Sequence, residues 1–311
     1  MKIMVVGGAG YVGQRLCPHL ISRGHAVKAV DAMFLGNPIP SYPLIWDDLF
    51  NLKVEQLEGY DCVVFLAGLS NDPMANFSPS KNYIQNTAAP AYLAYIAKEA
   101  KVPRFIYASS ASVYGQCSSP VNENSEARPA YPYGLSKLAG EKAVLQLADS
   151  SFQVIALRKG TISGASPRMR FDLAINAMFK DAITKGTVTV NNGNTWRPIL
   201  AMEDALEAYT RAVESPTITS WVFNICSQNH SMLDVGMQVS AIMRCGLEVR
   251  NELEMRDYKL SIAASRLVLD YFPSGSVKGI VSDLKEHYAS QPHDWFEQDE
   301  HYNIRMLRKQ K

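Results

Sequence analysis

The sequence has few cysteines and none of the spacings that cysteine chemistry uses. Its five cysteines are an odd number, scattered along 311 residues without a C-x-x-C pair. Disulfide frameworks and zinc sites use even or closely spaced sets, so we expect neither. The six histidines show no metal-ligand spacing either, and we predict no metal site. This pattern favours a reducing compartment, and we expect a cytoplasmic protein.

Excess charge and long apolar runs are also absent. The 31 basic side chains balance the 30 acidic ones to a net charge of +1, which gives no indication of a nucleic-acid groove. No apolar run approaches the ~18 residues of a membrane span. The first apolar stretch, residues 3–6, is too short for a signal-peptide core. We therefore expect neither nucleic acid nor membrane as a partner.

Apolar runs and helical segments alternate in the first half of the chain. The runs cover residues 2–6, 26–30, 61–66, 104–109 and 153–158, and helical spacing covers residues 11–23, 87–100 and 133–148. Such alternation is typical of βαβ units, in which a parallel sheet carries helices on both faces. The sequence therefore predicts an α/β fold with a Rossmann-type doubly wound parallel sheet.

The alternation loosens after about Gly164. Helical spacing continues at residues 171–185, 203–213 and 233–245, with short strands at 187–190 and 221–225. We therefore predict a dinucleotide-binding domain over residues 1–163 and a smaller C-terminal substrate-binding domain over 164–311. A segment at about 197–226 is expected to rejoin the first domain.

A glycine-rich turn, GGAGYVG at residues 7–13, follows the first predicted strand and opens the first helix. Glycines permit a tight turn, let the main chain approach a pyrophosphate and place the positive end of the helix dipole beside it. Asp31 ends the second predicted strand 18 residues after Gly13. A carboxylate there suits an adenosine ribose and repels a 2′-phosphate, which favours NAD over NADP. The alternative is a tight turn without a ligand, with Asp31 as a loop cap.

Two other segments fit the same cofactor. Asp48-Leu49 follows a predicted third strand at residues 44–46, where a polar and an apolar side chain suit adenine. Ala67-Gly68 ends the next strand, where small residues let a dinucleotide cross the sheet edge. Each pair is also compatible with plain loop structure.

A serine, a tyrosine and a lysine form a possible catalytic set. Tyr133 and Lys137 stand one helical turn apart, and the serine-rich run at 109–112 ends an earlier strand. A cation one turn away stabilises a phenolate, so Tyr133 could exchange a proton with a carbinol while hydride moves to a nicotinamide. A hydroxyl such as that of Ser110 would fix the reacting oxygen. By itself, however, Y-x-x-x-K is common by chance.

Taken together, these segments resemble the extended short-chain dehydrogenase/reductase family, in particular its NAD-dependent sugar epimerase/dehydratase group. The resemblance covers residues 1–225 well and the remainder thinly. It is carried by GGAGYVG at 7–13, Asp31, Asp48-Leu49, LAG at 66–68, Asn86, SSASVYG at 109–115, YGLSK at 133–137 and WRPI at 196–199.

The resemblance implies a role for each matching residue. Ser110, Tyr133 and Lys137 would be catalytic, with Tyr133 as the acid/base and Lys137 binding the nicotinamide ribose and lowering the pKa of the phenol. NAD would be held by Gly7, Gly10, Tyr11, Val12, Gly13, Asp31, Asp48, Leu49, Leu66, Ala67, Gly68 and Asn86, together with Tyr133 and Lys137. The substrate would be held by Ser70, Asn71, Ser110, Tyr133, Thr161, Arg168, Arg197 and Arg256, the last two at its diphosphate.

The resemblance also implies a reaction class. Dehydratases of the group carry Asp-Glu just after the catalytic hydroxyl residue, whereas Ala111-Ser112 stand here, which disfavours dehydration. We predict an NAD-dependent nucleotide-sugar epimerase that transiently oxidises a sugar hydroxyl of a nucleoside-diphosphate sugar, at carbon 4. The alternatives are a 4-dehydrogenase or 4-ketoreductase and, in another class, a non-catalytic dinucleotide-sensing regulator. In the family, helices like those predicted around residues 90–97 and 138–147 pair in the interface of a dimer, so a homodimer is expected.

Overall fold

A parallel β-sheet of seven strands forms the centre of the structure, a computed structural model that describes residues 1–216, 220–251 and 256–310. The strands of these residues are β1 (Lys2–Val6), β2 (Ala26–Asp31), β3 (Leu44–Trp46), β4 (Cys62–Phe65), β5 (Arg104–Tyr107), β6 (Gln153–Lys159), β7 (Thr161–Ser163), β8 (Thr187–Asn191), β9 (Trp196–Ala201), β10 (Trp221–Ile225), β11 (Gln228–Ser231) and β12 (Gly246–Arg250). The central order is β3-β2-β1-β4-β5-β6-β10, and all neighbours are parallel. The predicted Rossmann-type sheet is confirmed.

Helices cover both faces of this sheet. They are α1 (Gly13–Ser22), α2 (Val54–Leu57), α3 (Asp72–Phe77), α4 (Pro79–Tyr83), α5 (Ala89–Glu99), α6 (Pro132–Leu145), α7 (Ala174–Lys185), α8 (Met202–Glu214), α9 (Met232–Met243), α10 (Ala263–Leu269), α11 (Val277–Tyr288) and α12 (Asn303–Arg308). Short 3₁₀ turns cover Leu49–Asn51, Ala111–Tyr114, His293–Glu297 and Asp299–His301, and Ile84–Ala88 is π-helical. None of the helices in the described residues combines the length and the apolar composition that a membrane span requires.

Alternate side chains of the central strands enter two different cores. Ile3 and Val5 of β1 belong to one buried apolar cluster, whereas Met4 and Val6 belong to another on the opposite face. Burial of both faces explains why these strands are continuous apolar runs. Val6 pairs with Val30 and with Phe65, so the chain leaves β1, β2 and β4 at one edge of the sheet. The strand order reverses between β1 and β4, and ligands of open α/β sheets bind at such a point.

The C-terminal part builds two small sheets beside the central one. Strands β11, β9 and β7 form one of them, and β12 pairs with β8 in the other. The core that contains Ile3 continues into this part through Val190 of β8 and Val235 of α9. The predicted second domain thus shares a continuous apolar core with the first.

Several predicted boundaries differ from the structure. The helix expected over residues 87–100 begins at Ala89, because the preceding turn is π-helical. The helix expected from residue 11 begins at Gly13, after the glycine turn. Only part of the segment at 197–226 rejoins the sheet: β10 lies at its edge, whereas β9 lies in the three-stranded sheet. Strand β7, at residues 161–163, already belongs to that small sheet.

Candidate active site

The glycine-rich turn connects β1 to α1 at the carboxyl edge of the sheet. The Gly7 amide donates to the Val30 carbonyl at 2.8 Å, and the Gly10 amide donates to the Gly7 carbonyl at 3.2 Å. Gly7 has a φ of +83°, and a Cβ atom there would lie 2.5 Å from the Ala67 nitrogen. A Cβ atom at Gly13 would overlap the Gly8 carbonyl. The turn therefore needs glycine at both ends, and it leaves room for a ligand beside the start of α1.

The carboxylate of Asp31 is held against this turn. It accepts hydrogen bonds from the amides of Ala9 at 3.0 Å and Met33 at 2.8 Å, and from the Asn37 side chain at 3.3 Å. Burial raises the pKa of Asp31, although these bonds oppose the rise. Asp31 is thus fixed in place by main-chain donors on both sides of it. Both the cofactor hypothesis and the loop-cap alternative are compatible with these bonds.

A single cavity of about 660 Å³ runs from the glycine turn across the strand ends. It reaches β7 and the segment around Tyr258 at its far end. The predicted residues that line it are Gly7, Gly10, Tyr11, Val12, Gly13, Asp31, Asp48, Leu49, Leu66, Ala67, Gly68, Ser70, Asn71, Ser110, Tyr133, Lys137, Thr161, Arg168, Arg197 and Arg256. Residues that are up to 249 positions apart in the sequence are brought together here.

Asn86 is the predicted site residue that does not line this cavity. It is fully buried behind the wall, where its amide nitrogen donates to the Leu69 carbonyl, to Asn82 and to Ser136. The side-chain oxygen of Asn86 faces Gly68 and leaves no space for a Cβ atom at that glycine. The prediction that Asn86 contacts the cofactor is therefore corrected: its side chain positions the loop after β4 instead.

The candidate catalytic residues lie together where the cavity passes the end of β5, away from the glycine turn. Ser110 follows β5 and caps the next 3₁₀ turn, where its hydroxyl accepts from the Ser112 amide at 3.2 Å. Tyr133 and Lys137 lie one turn apart in α6, whose first turn contains Pro132. The Ser110 hydroxyl lies close enough to the Tyr133 phenol to lower its pKa. A strand end and a helix start thus place two hydroxyls and an ammonium group on one surface.

The electrostatics of this set differ from the prediction. Burial raises the pKa of Tyr133 to about 12, although the Ser110 hydroxyl and the Arg170 charge act in the opposite direction. Burial, with the neighbouring charge of Lys159, lowers the pKa of Lys137 to about 7. The expected lowering of the phenol pKa by Lys137 is therefore not found. Desolvation is the larger effect in this pocket. It raises the pKa of the phenol and lowers that of the ammonium group because it penalises the charged form of each.

The three predicted substrate arginines have different surroundings. Arg168 is buried and donates to Asn37 at 3.0 Å and to Asn303 at 2.7 Å, so it joins the loop after β2 to α12. Arg197 donates to the main-chain carbonyls of Trp196 and Arg256. The Arg256 guanidinium lies 2.9 Å from the Asp72 carboxylate. Each arginine lines the cavity, and each already has protein partners.

Ser70 and Asn71 also have protein partners. The Arg170 guanidinium donates to the Ser70 hydroxyl at 2.9 Å and pairs with Asp172 at 2.7 Å. The side-chain amide of Asn71 donates to the same oxygen of Asp172 at 2.9 Å. Arg170 lies close enough to Tyr133 to lower its pKa, and the sequence analysis did not include it among the site residues. An Arg-x-Asp pair after the sixth strand is the signal that could have found it.

Lys159 is a further charged group of the site that the predictions left without a role. It ends β6 beside Ser110, with which it forms a parallel bridge, and it lines the same cavity. Burial lowers the pKa of Lys159 to about 8. Within the described residues, no group of three histidine, cysteine, aspartate or glutamate side chains is arranged to hold a metal ion.

Comparisons with known proteins agree with this architecture. The model of the NAD dependent epimerase/dehydratase family matches residues 3–226. The UDP-glucose epimerase YtcB of Bacillus subtilis (strain 168), itself uncharacterized, is 28% identical over 91% of this chain and 97% of its own length. A UDP-glucose 4-epimerase of Lactobacillus helveticus is 28% identical over 76% of this chain and 79% of its own.

Solved structures show the same fold. The UDP-glucuronic acid 4-epimerase of Bacillus cereus, in complex with UDP-glucuronic acid and NAD, superposes with a TM-score of 0.83 at 24% identity. The superposition covers 94% of this chain and 99% of that one. The dTDP-glucose 4,6-dehydratase DesIV of Streptomyces venezuelae also has a TM-score of 0.83, at 18% identity over 95% and 98% of the chains.

Proposed function

We propose that this chain, which belongs to the NAD dependent epimerase/dehydratase family, epimerises the sugar of a UDP-sugar at carbon 4. The observation that carries the proposal is the meeting of Ser110, Tyr133 and Lys137 in the cavity that begins at the glycine turn. The UDP-glucose 4-epimerase of Lactobacillus helveticus, a relative over most of its length, supports the choice of reaction.

The residues at the sheet edge fit a dinucleotide. A Cβ atom at Gly7 or Gly13 would fill the space beside the start of α1, and main-chain donors at a helix start suit a pyrophosphate. Asp31 would bind the adenosine ribose, and Lys137 the nicotinamide ribose. NAD, when bound there, supplies a reversible acceptor for the hydride of the sugar carbon.

Tyr133 is the residue proposed to move the proton. Its phenolate form would take the proton of the sugar hydroxyl, become the phenol and return the proton later, while the Ser110 hydroxyl fixes the position of the reacting oxygen. Because burial raises the pKa of Tyr133 to about 12, proton removal needs positive charge nearby. Arg170 already acts in that direction, and Lys137 lies one turn away on the same helix.

Epimerisation is favoured over dehydration by the residues that follow Ser110. Water elimination requires an acid and a base beside the catalytic hydroxyl. The next two residues, Ala111 and Ser112, carry neither, and Ala111 is buried away from the cavity. The chain therefore has the groups that return a hydride and a proton, without a carboxylate at this position.

We further infer a cytoplasmic homodimer in which α5 and α6 form the interface. These helices leave large apolar side chains exposed, among them Tyr95 at 54% and Leu135 at 47%. A surface of this kind suits a second copy of the chain. The division into a cofactor domain at 1–163 and a substrate domain at 164–311 is likewise part of the proposal.

The test is to incubate the NAD-loaded enzyme with UDP-sugars, UDP-glucose and UDP-glucuronate among them, and to separate each from its 4-epimer by chromatography. Absorbance of NADH is followed in the same samples. We expect the epimers to interconvert without net NADH. Stoichiometric accumulation of NADH with a keto product would favour the 4-dehydrogenase alternative, and no conversion of any UDP-sugar would overturn the proposal.

A further inference from the structure

Lys159 lies where the reacting part of a substrate would be held. It ends β6, and its main chain forms a bridge with Ser110 at the end of β5. Its ammonium group is 5.5 Å from the centre of the buried Tyr209 ring, and its charge lowers the pKa of Lys137. Lys159 therefore belongs to the catalytic end of the cavity and not to the end with the glycine turn.

The ammonium group of Lys159 has no carboxylate partner among the described residues. Other cations of the cavity differ: Arg170 pairs with Asp172 at 2.7 Å, and Arg256 pairs with Asp72 at 2.9 Å. No salt bridge or hydrogen bond of the Lys159 side chain occurs in the part of the chain that the structure describes. Lys159 is half-buried, and charges withdrawn from water in proteins are normally paired, because an unpaired one loses hydration without gaining a partner.

Two cations therefore share the catalytic end of the cavity. Lys137 also lacks a carboxylate partner in the described residues, and its ammonium group lies 5.1 Å from the centre of the Tyr107 ring. Burial lowers the pKa of Lys159 to about 8, so its charged form is still present near neutral pH. The oxidised nicotinamide would add a third positive charge. A negative group on the bound sugar would offset this repulsion, whereas a neutral sugar would not.

We propose, on the basis of the function proposed above, that Lys159 binds an acidic substituent next to the reacting carbon of the sugar. The substrate class is then a nucleoside-diphosphate uronate, in which a carboxylate stands on the carbon that follows carbon 4 in the ring. Lys159 determines this specificity. The contact is one between an ammonium group and a carboxylate, the charge-assisted type of hydrogen bond that contributes most to binding.

The test measures binding of UDP-glucuronate and UDP-glucose to the NAD-loaded enzyme by calorimetry. The Tyr133→Phe variant serves as the parent, so that turnover does not change the ligands. Lys159→Met removes the charge but keeps a side chain of similar length, and Lys159→Arg keeps the charge. Lys142→Met is the matched control, because Lys142 is an exposed lysine on α6 outside the cavity.

We expect the parent to bind UDP-glucuronate at least about tenfold more tightly than UDP-glucose. Lys159→Met should remove that preference by weakening the uronate alone. Lys159→Arg should retain part of it, and Lys142→Met all of it. Equal binding of the two sugars by the parent, or equal losses for both in Lys159→Met, would overturn the role of Lys159.

Failure of the proposed function gives a different result. If neither UDP-sugar binds to the parent, the choice of a UDP-sugar is wrong and the inference fails with it. If UDP-glucose binds and UDP-glucuronate does not, the proposed function stands and only the specificity is refuted. The two sugars differ only at the carboxyl group, so differences in nucleotide recognition cancel between them.

Discussion

The two ends of the cavity treat their charges in opposite ways. At the glycine turn, the carboxylate of Asp31 accepts from the Ala9 and Met33 amides, so the protein itself supplies its partners. At the catalytic end, Lys137 and Lys159 have no carboxylate partner among the described residues, and burial lowers the pKa of both. The first end is complete without a ligand, whereas the second has a charge imbalance that a ligand can correct.

This difference bears on what each end can select. A site whose polar groups are already bonded holds a fixed shape and recognises a ligand by fit. A site with unpaired, partly desolvated cations gains most from the ligand that brings negative charge, because part of the cost of desolvation is already present. We therefore expect mutations at the two ends to separate cofactor binding from chemistry and sugar selectivity.

The largest expected effect is that of Tyr133→Phe on turnover. Removal of the phenol oxygen should lower kcat for epimerisation by about 10²–10⁴, since the proton of the sugar hydroxyl loses its acceptor. Bound NAD, released by denaturation and measured by chromatography, should stay at the level of the unmodified enzyme. Tyr83→Phe, at an exposed phenol on α4 outside the cavity, is the control and should keep full activity. A Tyr133→Phe enzyme that keeps the kcat of the unmodified enzyme would refute the proton-transfer role of Tyr133 and would remove the distinction between the two ends.

Gly13→Ala should instead disturb the end of the cavity at the glycine turn, the cofactor end. The added methyl group would overlap the Gly8 carbonyl, and main chain cannot move aside as a flexible side chain can. Overpacking of this kind costs about 1–3 kcal/mol, and it displaces the turn that faces the ligand. We expect a lower melting temperature and NAD binding weakened by about tenfold or more.

Gly279→Ala is the matched control for this change. Gly279 lies within α11, and a Cβ atom there would meet only the Ser276 hydroxyl at 3.5 Å, an ordinary contact. Alanine is also the better helix former. The melting temperature of the Gly279→Ala variant should be unchanged or higher than that of the unmodified protein. Equal NAD affinities in the two variants would show that the turn does not hold the cofactor.

The sequence predicts the cofactor end better than the catalytic end. The strand, the glycine turn and Asp31 lie within the first 31 residues, and their spacing is set by local geometry that periodicity records. The central sheet follows from the same kind of signal. The helix start at Ala89 was missed because a π-helical turn precedes it, and the hydrogen-bond register of such a turn leaves no simple apolar pattern.

The catalytic end depends on partners that are distant in sequence. Arg256 pairs with Asp72, which is 184 positions away, and Arg168 donates to Asn303, which is 135 positions away. Only the fold decides whether such an arginine is already bonded. The same holds for Asn86, since its place behind the cavity wall depends on how α6 packs against the π-helical turn.

Asp31→Asn should change the choice of cofactor by a smaller amount. The amide oxygen can still accept from one of the two main-chain donors, whereas its NH2 group cannot accept from the other, and the negative charge that repels a 2′-phosphate is lost. We expect the NADP affinity relative to NAD to rise by about tenfold, measured by quenching of protein fluorescence in titrations with both cofactors. Asp61→Asn is the control, because Asp61 binds the Lys2 amide at the opposite edge of the sheet. A ratio unchanged in Asp31→Asn would leave the loop-cap interpretation of Asp31.

The smallest expected effect is a pH-dependent gain of stability in Lys159→Met. In the folded protein the pKa of Lys159 is lowered to about 8, so from there to about 10.5 the unfolded chain holds a proton that the folded chain has released. Stability therefore rises with pH across this window, and below it the full cost of burying the ammonium group remains.

Methionine has no such cost, so the Lys159→Met variant should melt a few degrees higher than the unmodified protein at pH 7, with the difference shrinking toward pH 10.5. The exposed Lys142→Met variant should show no such trend in scanning calorimetry. A difference for Lys159→Met that stays constant with pH would mean that this ammonium group is solvated in the folded protein, and the contrast between the two ends of the cavity would then disappear.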